Sequence, residues 1–270
     1  MGQKMVTLLI AFLVSTMIFA DMPPNDVPDD NPGLSNINEK QFHDLIQSVN
    51  DTYQPIFKGI GVNFWFERKW DSKDSNMYVY QFDSQYAKNW KIEVHGGLAR
   101  KVQITKEGFT MALCHEIGHL LGGYPIKDYL KSSTEGQADY YAAHVCARKI
   151  FGKTIKKRKL INQLRIESDL CEKYFDEKYD KDVCMLTLMG AKSLSDFLAV
   201  VYRPWIKETD PTTPEQNDVK KTFQGHPTPQ CRLDTMIAGI LCDKPWDDKI
   251  IPLDKKAKTC SNRPKCWYAP

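Results

Sequence analysis

The chain has 270 residues, 42 % hydrophobic and 26 % charged, with a formal net charge of +3. That length allows one substantial core or two small ones. The near-balance of charge gives no reason to expect nucleic acid or another polyanion as partner.

The first twenty residues place Lys4 before an apolar run from Met5 to Ala20, after which the sequence turns abruptly to Pro and Asp. This is the layout of a secretory signal peptide over 1–20, with cleavage after Ala20, because Ile18 and Ala20 suit the small or apolar positions before a cut. A retained anchor is the competing reading of the same run. No later segment reads as long and apolar enough to span a bilayer, so the mature chain is expected to have no stable membrane insertion. Export to the periplasm or the medium follows as an expectation.

Residues 21–35, rich in Pro, Asp and Gly, are expected to be flexible. Asn36 with Glu39 resembles a capping box. Phe42, Leu45, Ile46, Val49 and Tyr53 then mark one helical face until Pro55 stops the pattern. GIGVNFWF, MYVYQF, WKIEVH and LARKVQI follow, short and rich in β-branched and aromatic residues, and predict four strands in a mostly antiparallel sheet. The pattern then turns helical. Thr105 can cap a helix through Phe109, Leu113, Ile117 and Leu121, with Gly122 and Gly123 ending it. Thr134 and Gln137 can form a capping box opening a second helix to about Ile150. The basic run RKIFGKTIKKRKL reads as a solvated helix end and loop. Further helices are predicted around 160–177, 182–203 and 231–242, followed by an irregular tail. The fold class is therefore α+β, a small sheet followed by a predominantly helical half.

Eight cysteines lie at 114, 146, 171, 184, 231, 242, 260 and 266. In an exported chain they suggest up to four disulfides, with 105 complete pairings open. Cys171 with Cys184 makes a plausible local loop. Cys231 and Cys242 flank one helix and lie too far apart along it to bond each other, so at least one reaches the tail or an earlier helix.

HEIGH occupies 115–119. Histidines four apart on a helix point the same way, so His115 and His119 can approach one zinc ion, and Glu116 can act as general base on a water there. Catalytic zinc needs a third protein ligand. Glu135 opens the next helix sixteen residues beyond His119, and Asp139 one turn later can orient a ligating imidazole. His144 falls on roughly the opposite side of that helix and suits a packed histidine better than a ligand. Tyr124, just past the zinc helix, reads equally as a substrate contact or a core cover.

HExxH, a downstream glutamate and an aspartate four residues on resemble the gluzincin metallopeptidases, and within them the Ste24/HtpX-like family. HPTPQCR adds to the likeness, which spans roughly residues 90–242. The resemblance implies a zincin-like catalytic domain over 36–245, with residues 246–270 as a cysteine-containing tail packed on it. It implies His115, His119 and Glu135 as ligands of Zn(2+), Glu116 as base and Asp139 behind the ligands. It also implies His226 as oxyanion donor and Arg232 as the tie from a late helix to the active-site acids. This chain departs from the family's membrane-embedded members in lacking their several spanning helices and in carrying eight cysteines. The expected function is endopeptidase action on extended or partly unfolded protein or peptide substrate. The alternative is a chaperone-like or peptide-binding protein that kept the fold without the activity. LARKVQI is the expected substrate-binding edge strand, since strand addition supplies main-chain bonds without demanding one sequence.

Overall fold

The computed structural model describes residues 36–128, 131–157, 169–202, 208–242, 244, 260 and 263–269. The expected signal peptide, the segment 21–35 and much of the tail lie outside the described residues.

Helix α1 spans Glu39–Gly59. Its cap is Asn38 rather than Asn36: Asn38 Oδ1 accepts from the Gln41 amide and Gln41 Oε1 accepts from the Asn38 amide. Asn36 instead donates to the carbonyls of Val102 and Ile104. Pro55 does not stop the helix. Its missing N–H forfeits one helical bond, and this is offset one half-turn later by Phe57, which is fully buried and stacks on Phe64 at 4.0 Å.

Three strands follow, β1 (Val62–Lys69), β2 (Met77–Asp83) and β3 (Lys88–His95), in the order β1-β3-β2. β2 pairs antiparallel with β3, but β1 pairs parallel with it, so the sheet is mixed rather than mostly antiparallel. The chain makes β2 as an outer strand and returns along β3 beside β1, which a spacing pattern does not disclose. Val62, Phe64, Met77, Ile92 and Val94 face the core, where α1 packs on β1. The opposite face carries a charged lattice: Glu93 takes Lys69 at 2.5 Å and Lys91 at 3.1 Å, while Lys91 also reaches Glu67.

LARKVQI is not a strand. Gly96–Ala99 forms a short helix, α2, followed by turns. At Gly96 a Cβ would sit 2.0 Å from the Trp70 carbonyl oxygen, and at Gly97 2.3 Å from that of Asp74, so only glycine lets this segment press on the 70–74 loop. Arg100 is buried and donates to the carbonyls of Trp70 and Ser72. Its charged head thus points inward.

Helix α3 spans Lys106–Leu121, capped by Thr105 as expected. α4 covers Glu135–Tyr141, and the chain widens over Ala142–Ala147 to a π-helical turn before α5, Arg148–Lys157. The expected Thr134–Gln137 box does not form. Thr134 makes no side-chain cap bond, and Gln137 is used elsewhere, donating to the Gly122 carbonyl and accepting from Arg263. α6 (Asp169–Tyr174), α7 (Lys178–Tyr202) and α8 (Pro229–Ile240) complete the described helices. α7 corrects the reading that no later segment matches a membrane span in length and composition, yet 72 % of its most apolar window is buried in the protein. It packs between α3 and α8 as a core helix.

All eight cysteines are paired: Cys114–Cys146, Cys171–Cys184, Cys231–Cys266 and Cys242–Cys260. The local 171–184 loop is present as expected, and both cysteines flanking α8 reach the tail.

Candidate metal centre

α3 and α4 approach closely enough to share one site because residue 118 has no side chain. A Cβ on Gly118 would lie 2.6 Å from the Ala138 carbonyl oxygen and 2.8 Å from its Cα. Backbone therefore meets backbone at the centre of HEIGH. The helix spacing then turns His115 and His119 toward Glu135, and all three are buried.

The outer nitrogens of both imidazoles are committed. His119 Nδ1 donates to the Ser133 carbonyl at 2.9 Å. A carbonyl only accepts, so the hydrogen sits on Nδ1 and Nε2 keeps its lone pair. His115 Nδ1 donates to Asp139 Oδ1 at 2.8 Å, with the same result. The two Nε2 atoms converge on Glu135, His115 at 3.2 Å from Oε2 and His119 at 3.5 Å from Oε1. One donor atom from each residue lies within 4.8 Å of the others.

Glu135 Oε2 is buried and accepts no hydrogen bond. A buried carboxylate oxygen left so is costly unless something else takes its lone pairs. Two imidazole lone pairs and one carboxylate, facing inward with their outer atoms tied off, form the donor set expected of a zinc site. The residues therefore fit a divalent metal.

Asp139 is fully buried. Besides His115 it accepts two bonds from Arg232 of α8, from Nε at 2.7 Å and Nη2 at 2.8 Å. Burial would raise this carboxyl as well, and Arg232 and His115 overcome that and keep it ionised. The charged fork explains how a residue 93 positions away in sequence reaches the site. The expected pairing of Arg232 with the acids is thus present as geometry.

Glu116 sits beside the cluster, half-buried, lining a cleft of about 680 Å³. Burial raises its carboxyl above the ordinary value, and His115 and His119 temper that rise. His226 enters from the loop before α8, its Nε2 3.4 Å from Glu135 Oε2 with more than half its side chain exposed. It stands outside the three-residue cluster, and His115, His119 and Glu135 all line the cleft. His144 is turned away as expected. Its Nδ1 donates to the Gly239 carbonyl at 3.2 Å, and burial with Arg148 nearby lowers it to about 4. Tyr124 does not line the cleft.

The cleft wall is β2, not LARKVQI. Residues 75–81 line it in succession, and β2 has no strand on its outer edge among the described residues. Leu194, Phe197 and Tyr202 of α7 form the facing wall. Two contributors were not legible from sequence. β2 was read as a strand without any sign that it would be the free edge. Lys127, whose Nζ lies 2.8 Å from Glu135 Oε1, belongs to a loop with no periodic signature.

Comparison with family models, with curated proteins and with solved structures finds no match to this chain. What stands is an α+β fold, stapled by disulfides, that brings two histidines and a glutamate together as a site able to hold a metal.

Proposed function

We propose that this chain is a zinc-dependent endopeptidase of the gluzincin kind, akin to the Ste24/HtpX-like family, which cleaves extended or partly unfolded proteins. The observation that carries this reading is the buried, unbonded Oε2 of Glu135 facing two imidazoles whose outer nitrogens are already tied off, with Glu116 beside them at the mouth of a cleft. His115, His119 and Glu135 would hold zinc, which supplies Lewis acidity for a water and a substrate carbonyl.

The chain's own groups do the rest. The free edge of β2 pairs with an extended substrate backbone, which favours unfolded segments and demands no single sequence. Glu116, made more basic by burial, takes the proton of the attacking water and returns it to the leaving nitrogen as the C–N bond breaks. His226 donates to the oxygen that gains charge in the tetrahedral intermediate. Asp139 and Arg232 hold His115 in orientation.

An open cluster beside an intact base supports catalysis over a structural zinc site, which takes four protein ligands. We further propose that residues 1–20 are a signal peptide, that the mature chain is exported, and that its catalytic domain spans 36–245.

The test is hydrolysis of an unfolded protein by the oxidised, zinc-loaded mature chain beside Glu116→Ala. The expected result is cleavage by the parent and its loss in a folded variant that still binds zinc. No cleavage by a folded, zinc-replete parent would sink the broad endopeptidase reading.

A further inference from the structure

We infer that Lys127 is a positioning residue that holds one oxygen of Glu135 away from the metal, leaving the other as the single carboxylate donor. The inference rests on the metal reading above and adds a role for a residue outside the ligand set.

The loop between α3 and α4 is a tight hairpin. Ile126 bridges Ser133, the Lys127 amide donates to the Ser132 carbonyl at 2.8 Å, and the Thr134 amide donates to the Pro125 carbonyl at 2.9 Å. Ser133 anchors this hairpin to the end of α3 and the turn after it. The Ser133 amide donates to the His119 carbonyl at 3.0 Å, and Ser133 Oγ donates to the Gly123 carbonyl at 2.7 Å. Its first arm is tied to the His226 loop, since the Asp128 amide donates to Gln224 Oε1 at 3.0 Å. Lys127 is therefore delivered from a braced backbone, with only 15 % of its side chain exposed.

The two oxygens of Glu135 are treated differently. Oε1 accepts from the Lys127 ammonium at 2.8 Å, whereas Oε2 accepts no hydrogen bond and lies nearer His115 Nε2. A carboxylate with one oxygen bound to an ammonium has that oxygen's lone pairs occupied and its negative charge partly neutralised. Two effects follow, and both oppose metal binding. The second oxygen is withheld from the ion, and a fixed positive charge stands close to a dication. Lys127 therefore weakens the grip on the metal while keeping a coordination position free, which a catalytic site needs and a structural one does not.

The test replaces Lys127 by Met and by Gln, with Lys127→Arg as the conservative variant, each in the full oxidised chain. Zinc affinity is read by competition with a chromophoric chelator. Coordination number is read from the visible absorption of the cobalt(II) form, which weakens as ligands are added. We expect Lys127→Met and Lys127→Gln to bind zinc about 10–100-fold more tightly, the scale on which outer partners of metal ligands act. Their cobalt absorption should fall, and Lys127→Arg should resemble the parent in both. Unchanged affinity and spectrum in the neutral variants overturn the inference. Weaker binding with a lower unfolding midpoint also overturns it, since that is what a mere pin of the hairpin gives. A folded parent that takes up neither zinc nor cobalt overturns the metal reading itself, and this inference with it.

Discussion

Gly118→Ala puts the closeness of α3 and α4 to a quantitative test. The added Cβ would stand 2.6 Å from the Ala138 carbonyl oxygen where ordinary contact begins at 3.4 Å, a shortfall of 0.8 Å. The obstacle is backbone on a neighbouring helix, which cannot swing aside as a side chain can. Forcing extra volume into a packed core costs about 1–3 kcal/mol. Alanine's better helix propensity returns about 1 kcal/mol, so a net loss of up to about 2 kcal/mol is expected. The larger effect falls on the metal. His115 and His119 ride on α3 and Glu135 on α4, so a shift approaching 0.8 Å exceeds the roughly 0.2 Å tolerance of ligand distances. Zinc affinity should fall by about tenfold or more, the scale of a disturbed ligand environment. Urea unfolding gives the stability change and chelator competition gives the affinity. Gly59→Ala is the control, since a Cβ there meets nothing within 4 Å. If Gly118→Ala matches the parent in both measurements, close helix approach does not set the geometry of the site.

Asp139→Asn leaves Arg232 buried without its charge partner. Unfolding free energy should drop by about 3–5 kcal/mol, and chelator competition should show weaker zinc binding as His115 loses its orienting acceptor. On the outer sheet face, burial works to raise Glu93, and the bonds from Lys69 and Lys91 overcome it, holding the carboxyl at about 2 against an ordinary 4.5. A depressed carboxyl stabilises the folded state above its unfolded value and loses that contribution as pH falls through the folded one. The stability gap between the parent and Glu93→Gln should therefore be full above about pH 4.5 and close progressively toward pH 2, as denaturant titrations at a series of pH values would show. A gap independent of pH would mean that the lattice does not favour the ionised form.

Legibility tracked sequence distance. Thr105 as cap, the four-residue spacing of His115 and His119, and the turn separating Glu135 from Asp139 are local facts, and a helix places them without help. Arg232 came only through resemblance, because nothing in the spacing joins α8 to α4; the link is the buried charge pair with Asp139. Lys127 escaped because its direction depends on bonds from the hairpin to His119 and Gly123. LARKVQI misled for the reverse reason. Its short length and β-branched content suit a strand, but Gly96 and Gly97 let the backbone sink against the 70–74 loop, where Arg100 donates to buried carbonyls. The parallel pairing of β1 was hidden because strand order is a property of the whole chain path.

Two of the four disulfides have a cysteine one residue from the candidate site. Cys114 precedes His115, Cys231 precedes Arg232, and Cys266 precedes Trp267. Trp267 is fully buried against Gly136, where a Cβ would meet its ring at 2.2 Å, and Gly136 follows Glu135. The candidate metal centre is thus braced by residues distant from it in sequence. The helices that bear the candidate ligands are made by residue 141, but the indole packed on Gly136 and the second cysteine of the bridge beside Arg232 come more than a hundred residues later. A chain broken off before Cys266 would carry the whole ligand motif and lack the parts that hold it in place.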